Sequence, residues 1–153
     1  MNKTLITFFT VLFCLTSSVG YSQNIICEYT GYTCLEVDFK ELVLRDDDYY
    51  KKFSNEPFTG KVTGQEQGKL KNGKREGSWD RYYDNGQLEY KGNYKNGKRD
   101  GSWVSYYGNV QIKYKGDYKN GFLEGYRVHY KRDGTINKIL TGTYQNEKKI
   151  SNY

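Results

Sequence analysis

Residues 90–101 read Tyr90-Lys91-Gly92-Asn93-Tyr94-Lys95-Asn96-Gly97-Lys98-Arg99-Asp100-Gly101, and Tyr114-Lys115-Gly116-Asp117-Tyr118-Lys119-Asn120-Gly121 repeats the pattern 24 residues later. Working outward, the period holds on both sides. Gly68, Gly92 and Gly116 coincide, as do Gly77, Gly101 and Gly125. Asn72-Gly73 falls in register with the other two Asn-Gly steps, Tyr82 with Tyr106 and Tyr130, and Trp79 with Trp103, Arg127 taking the third place. Glycines, turns and aromatics recurring together at one spacing mark a repeat architecture.

Each unit reads as a pair of strands. Asn-Gly suits a type I′ turn, which needs positive φ at both central residues. Leu88–Tyr94 and Ser102–Tyr107 alternate with a period of two between such turns, as half-buried strands do. The far ends turn at Asp84-Asn85-Gly86, Gly108-Asn109 and Arg132-Asp133-Gly134. Only 35–44 could be helical, and its Val and Phe suit a strand equally well. Tyr90, Gly92 and Tyr94 share one side of a strand, as do Tyr114, Gly116 and Tyr118. A mid-strand glycine weakens a sheet unless a ring from the next strand lies over the bare backbone. The expected fold is all-β: a single-layered, twisted antiparallel sheet of consecutive hairpins, held by stacked rings.

These stretches resemble the MORN repeat, and more closely the bacterial MORN-repeat variant of YwqK-type antitoxin-like proteins. The resemblance covers 57–153 clearly, with a degenerate echo at Tyr49-Tyr50, Ser54-Asn55-Glu56 and Phe58-Thr59-Gly60. The last unit departs from it, with two extra residues before Gly142 and Glu147 in place of the turn glycine. The resemblance implies a sheet used for protein–protein or membrane-surface contact, with no catalytic residues.

The chain begins as a secretory signal does: Lys3, an apolar run from Leu5 to Leu15, then small residues to Ser22. Cleavage after Ser22 leaves a cap over 23–56, the repeats over 57–153 and no transmembrane segment. It also removes Cys14, so the remaining pair, Cys27 and Cys34, reads as a disulfide in an oxidising compartment.

Charge is divided along the chain. Residues 23–56 hold eight acidic and four basic side chains, whereas 57–153 hold 19 Lys and Arg against 10 Asp and Glu. Lys74, Arg75, Lys98 and Arg99 follow the Asn-Gly turns and form a candidate anion-binding ridge. Phe122-Leu123 interrupts it in the third unit. Trp79, Tyr83, Trp103 and Tyr107 are a candidate aromatic contact face. Glu76, Asp100 and Glu124 recur in register, which points to service of each turn rather than to an acid pair. His129, the sole histidine, has no partner constellation, and Asp46-Asp47-Asp48 reads as a solvated turn. No cofactor, metal or nucleic acid is indicated. The reading is an exported, non-enzymatic scaffold for a protein partner in the envelope or outside the cell. The alternative is peripheral binding to anionic lipid or polysaccharide through the basic tips, and an antitoxin or immunity role stands behind both.

Overall fold

The computed structural model describes residues 35–152, and there the regular secondary structure is β-strand apart from one 3-10 turn. The strands are β1 (Glu36–Asp38), β2 (Leu42–Arg45), β3 (Asp48–Lys51), β4 (Gly60–Thr63), β5 (Glu66–Lys71), β6 (Lys74–Tyr82), β7 (Leu88–Lys95), β8 (Lys98–Tyr106), β9 (Ile112–Lys119), β10 (Phe122–His129), β11 (Gly142–Gln145) and β12 (Lys148–Ser151). The stretch 35–44 divides between β1, the 3-10 turn Phe39–Glu41 and the start of β2. The expected leader and cleavage site, and Cys27 and Cys34, lie outside the described residues.

Ten strands form one open sheet in the order β1-β4-β5-β6-β7-β8-β9-β10-β11-β12. Neighbours from β4 onward are antiparallel, but β1 runs parallel to β4, with Val37 opposite Val62. The sheet is therefore mixed, not wholly antiparallel as expected. It is also not single-layered at its N-terminal end. There the separate β2–β3 hairpin packs Leu42 and Tyr49, with Phe39 ahead of them, into a cluster containing Val37, Phe58, Val62, Leu70 and Trp79.

The Asn-Gly steps are the hairpin turns. Asn72/Gly73, Asn96/Gly97 and Asn120/Gly121 all have positive φ at both central residues, and Asn146/Glu147 copies them with Glu147 at φ 64. In such a turn both central N–H groups point away from their own hairpin. Here they are used by the preceding one: Gly97 N–H donates to the Arg75 carbonyl at 2.9 Å, and Gly121 N–H to the Arg99 carbonyl at 2.8 Å. Asn96 N–H donates to Glu76 Oε2 at 2.9 Å, Asn120 N–H to Asp100 Oδ2 at 3.2 Å, and Asn146 N–H to Glu124 Oε2 at 3.1 Å. At the first turn Thr59 Oγ1 accepts from Asn72 N–H at 2.8 Å. The recurring carboxylates thus serve the turn of the next unit, and so tie each hairpin to its neighbour.

The two glycine series do different jobs. Gly77, Gly101 and Gly125 have φ of 70, 87 and 80. They sit in bulges: Gln67 opposes Asp80 and Lys69 opposes Glu76, so Gly68 alone faces Gly77-Ser78-Trp79. Backbone conformation selects glycine there. Gly68, Gly92 and Gly116 are needed for space. A Cβ on Gly92 would lie 2.0 Å from Cε3 of Trp103, and one on Gly68 2.4 Å from Cδ2 of Trp79. On Gly116 it would meet the Arg127 Cβ at 3.2 Å. Across the sheet Trp79 opposes Gly92, Gly92 opposes Trp103, and Trp103 opposes Gly116, so each ring fills the space a glycine leaves. Both indoles are 1% exposed.

Gly92→Val should destabilise the protein by about 2 kcal/mol or more, because the buried indole has nowhere to go. Gly116→Ala should cost less than Gly92→Ala, since the nearest atoms there are the Arg127 Cβ and Cγ at 3.2 Å rather than an indole carbon at 2.0 Å. Urea denaturation of the three variants measures this, and equal midpoints for Gly92→Val and wild type would refute the ring-on-glycine account.

Candidate functional site

The face that carries the tryptophans also carries arginines. Residue 75 is the second after its turn, and alternation points it inward, so Arg75 enters the core where Leu123 stands in the third unit. Its Nη2 reaches the Glu66 carboxylate at 2.5 Å and donates to Tyr49 Oη at 2.8 Å. Its Nη1 donates to Tyr94 Oη at 3.0 Å and Tyr90 Oη at 3.2 Å. The guanidinium also lies 4.6 Å from the Trp79 ring centre, within cation–π range. Burial opposes the charge on Arg75, but Tyr94, Glu66, Tyr49 and Tyr90 outweigh it and raise its pKa. Burial in the same cluster, then Tyr94, raises the Tyr90 phenol against the pull of Arg75. Glu66, 5% exposed, is shared with Arg81, whose Nε also meets Glu89 at 2.9 Å.

Arg99 repeats the position without the acid. Residue 90, a tyrosine, stands where Glu66 stands one unit earlier. Arg99 lies 4.2 Å from the Trp103 ring centre, and its Nη1 donates to Tyr118 Oη at 3.4 Å. Burial opposes its charge too, and Tyr118, Tyr94 and Tyr114 raise its pKa nonetheless. Rings complete the cluster: Trp103 stacks on Tyr90 at 4.9 Å and meets Tyr94 and Tyr118 edge-on at 5.4 and 5.9 Å.

These positions correct two expectations. Lys74, Arg75, Lys98 and Arg99 do not form a basic ridge: Arg75 and Arg99 point into the aromatic face, and Lys74 pairs with Asp48 at 2.7 Å. Only Lys98 remains as a free tip cation of the four among the described residues. The second residue past each turn is a core position, which is why Leu123 can occupy it, 3% exposed. Nor are Trp79 and Trp103 a contact face, because both are buried. Tyr83 and Tyr107 are half-buried at the far ends, where each hydroxyl donates to a backbone carbonyl one unit on, Tyr106 and Tyr130, at 2.8 Å.

The remaining singled-out residues also have local roles. Asp46 and Asp47 form the turn of the β2–β3 hairpin, with φ of 49 and 65. The His129 ring lies 5.3 Å from the Tyr114 ring centre, and the His129 backbone N–H donates to Thr141 Oγ1 at 3.0 Å. Burial, then Arg127 and Lys113, push its pKa down to about 4. Sequence reading missed Glu66 and Thr141, both buried. Glu66 sits where later units have tyrosine, a departure from period that carried the signal.

Two grooves open at the far-end turns. One is lined by Gly64, Gln65, Gln67, Tyr82, Tyr83, Asp84 and Gly86, and Gln65 donates to Asp84 Oδ1 there at 2.8 Å. The other is lined by Tyr83, Tyr107, Gly108, Asn109, Lys113 and Arg132.

Glu66→Gln should destabilise by about 3 kcal/mol, because it strips a buried guanidinium of its counter-charge. Arg99→Met, at the site without an acid, should cost markedly less, and chemical denaturation of both variants compares them. The histidine gives a pH test. Its folded-state pKa is below the unfolded value near 6.5, so the unfolded chain binds the proton first and stability falls as pH drops from about 6.5 towards 4. With solvent screening at a half-exposed ring the loss is about 1–2 kcal/mol. His129→Gln should flatten that limb of the stability–pH curve, and an NMR titration of the single imidazole with a midpoint above 6 would contradict it.

Comparison with protein-family models matches none, and comparison with curated proteins finds no significant similarity.

Proposed function

We propose that this protein is an exported, non-catalytic scaffold of MORN-like hairpin repeats that holds a protein partner in the cell envelope or outside the cell. The observation that carries the reading is where apolar side chains remain in water. Phe122, Tyr126, Ile136, Ile139, Leu140 and Ile150, six of the ten large exposed hydrophobics among the described residues, fall in β10, β12 and the loop after β10. That end of the strand order lies away from the β2–β3 hairpin. Ile139 is 82% exposed and its backbone is held, since Lys149 Nζ donates to its carbonyl at 2.7 Å. Apolar side chains presented on a fixed backbone suit a protein contact. The recurring carboxylates, each engaged by a turn N–H, support a non-catalytic reading. The leader-like N-terminus supports export. Binding of anionic surfaces through the tips loses its main residues, because Arg75 and Arg99 are turned inward.

A photo-cross-linker placed at Ile139 or Ile150 should capture one protein from the native envelope, while the same group at Lys91 captures none. Ile139→Asp combined with Ile150→Asp should abolish capture in affinity pulldown and leave the melting temperature within a few degrees. Capture that survives the double variant but vanishes in high salt would overturn the apolar-contact reading.

A further inference from the structure

The groove at the Tyr107 turn departs from the repeat in its charge. One unit earlier, the positions equivalent to Lys113 and Arg132 are Glu89 and Gly108, and the position of Arg81 becomes Ser105. Around Tyr83 the earlier unit therefore has an internally neutralised pair, Arg81 Nε to Glu89 Oε2 at 2.9 Å. Around Tyr107 both replacements are cations. Lys113 Nζ lies 5.8 Å and the Arg132 guanidinium 5.5 Å from the same Tyr107 ring centre. Both line one groove with Tyr83, Tyr107, Gly108 and Asn109, and no carboxylate lines it. Neither cation has an ion-pair partner among the described residues. Burial, then Glu89, raises the Tyr83 phenol pKa, and Arg132 lies close enough to pull against them.

The walls of this groove are preorganised. The Tyr83 and Tyr107 hydroxyls are tied to carbonyls, so the two rings are held in place in the groove wall. Asn109 accepts from Gln111 N–H at 3.3 Å and donates to its Oε1 at 3.1 Å, which occupies its amide. Two free cations beside two fixed rings make a site for a ligand with an anionic group on a flat, carbon-bearing ring.

We propose that the Tyr83–Tyr107 groove binds an acidic sugar, the rings stacking on its pyranose face while Lys113 and Arg132 hold its carboxylate or sulfate. The charges supply attraction and the fixed rings selectivity for a saccharide over a bare ion. The site is separate from the apolar end proposed above and does not depend on it.

The test uses trigalacturonate, with neutral galactotriose and phosphatidylglycerol vesicles as comparison arms. The variant Lys113→Glu with Arg132→Gly installs the residues the preceding unit already tolerates, so it should fold, as its NMR spectrum would verify. A second variant, Lys95→Glu with Lys119→Glu, removes at least as much positive charge from the turn tips. Trigalacturonate should shift amide resonances of Lys113, Arg132 and Tyr107 in the wild type, and galactotriose should not. Its Kd should rise at least tenfold in the groove variant and stay within twofold in the tip variant. Equal weakening by both variants would reduce the effect to net charge and overturn the proposal. So would an absence of shifts at the groove, or vesicle binding lost in the groove variant without any trigalacturonate binding.

Discussion

An indole lying on the bare backbone of a neighbouring strand is the contact on which the rest of this sheet depends. A thin sheet has no second layer in which to bury side chains, and along most of this array aliphatic residues are few. The protein gains its buried area within the sheet itself. The row Gly68, Trp79, Gly92, Trp103, Gly116, Arg127, Gly142 alternates an absent side chain with a large one. Tyr90 and Tyr94, on either side of Gly92, and Tyr118, beside Gly116, then close over the Trp103 ring. The filler changes along the row, from tryptophan to Arg127, and at Gly142 to the Ser151 carbonyl and the Lys149 side chain. The larger buried cluster lies where the β2–β3 hairpin is docked, and exposed apolar residues gather at the other end.

Placing arginines among those rings creates an electrostatic demand that different units meet differently. Arg75 has a buried carboxylate, three phenols and a covering hairpin. Arg99 has rings and one phenol, and the third unit dispenses with the charge by using Leu123. Desolvating a guanidinium is costly without a counter-charge. The Glu66 exception to the repeat therefore accompanies the unit where hairpin β2–β3 removes water most completely. The same hairpin supplies the Tyr49 hydroxyl, so its docking and the burial of Arg75 are one event.

Hydrogen bonding sets the units' mutual geometry. At the Asn-Gly end each turn is gripped by the preceding hairpin through two N–H groups, and at the far end the Tyr83 and Tyr107 hydroxyls reach one unit on. Both ends of a hairpin are thereby fixed to its neighbours, which is nearest-neighbour cohesion in a repeat protein. An array fixed in this way holds its surface side chains at set spacings. Departures from the repeat, such as the cations at the Tyr107 turn, become local features of defined position rather than scattered charge.

The amino-acid sequence by itself determined the hairpins, their turn type and the glycine–aromatic pairing. All three follow from local rules: Asn-Gly accepts positive φ, alternation has a period of two, and a glycine in mid-strand leaves space. It also made the two glycine series visible, but not their different causes, since a bulge and a close approach select the same residue. Tertiary structure alone decided the fate of the charged and aromatic side chains. Packing on the aromatic face puts Arg75, Arg99, Trp79 and Trp103 inside, although their spacing suits exposed tips and an open face equally well. The parallel pairing of β1 with β4 and the docking of β2–β3 over Trp79 rest on contacts between residues far apart in the chain, such as Tyr49 with Arg75. No local pattern specifies such contacts, because they arise only when burial of one surface makes another worth covering.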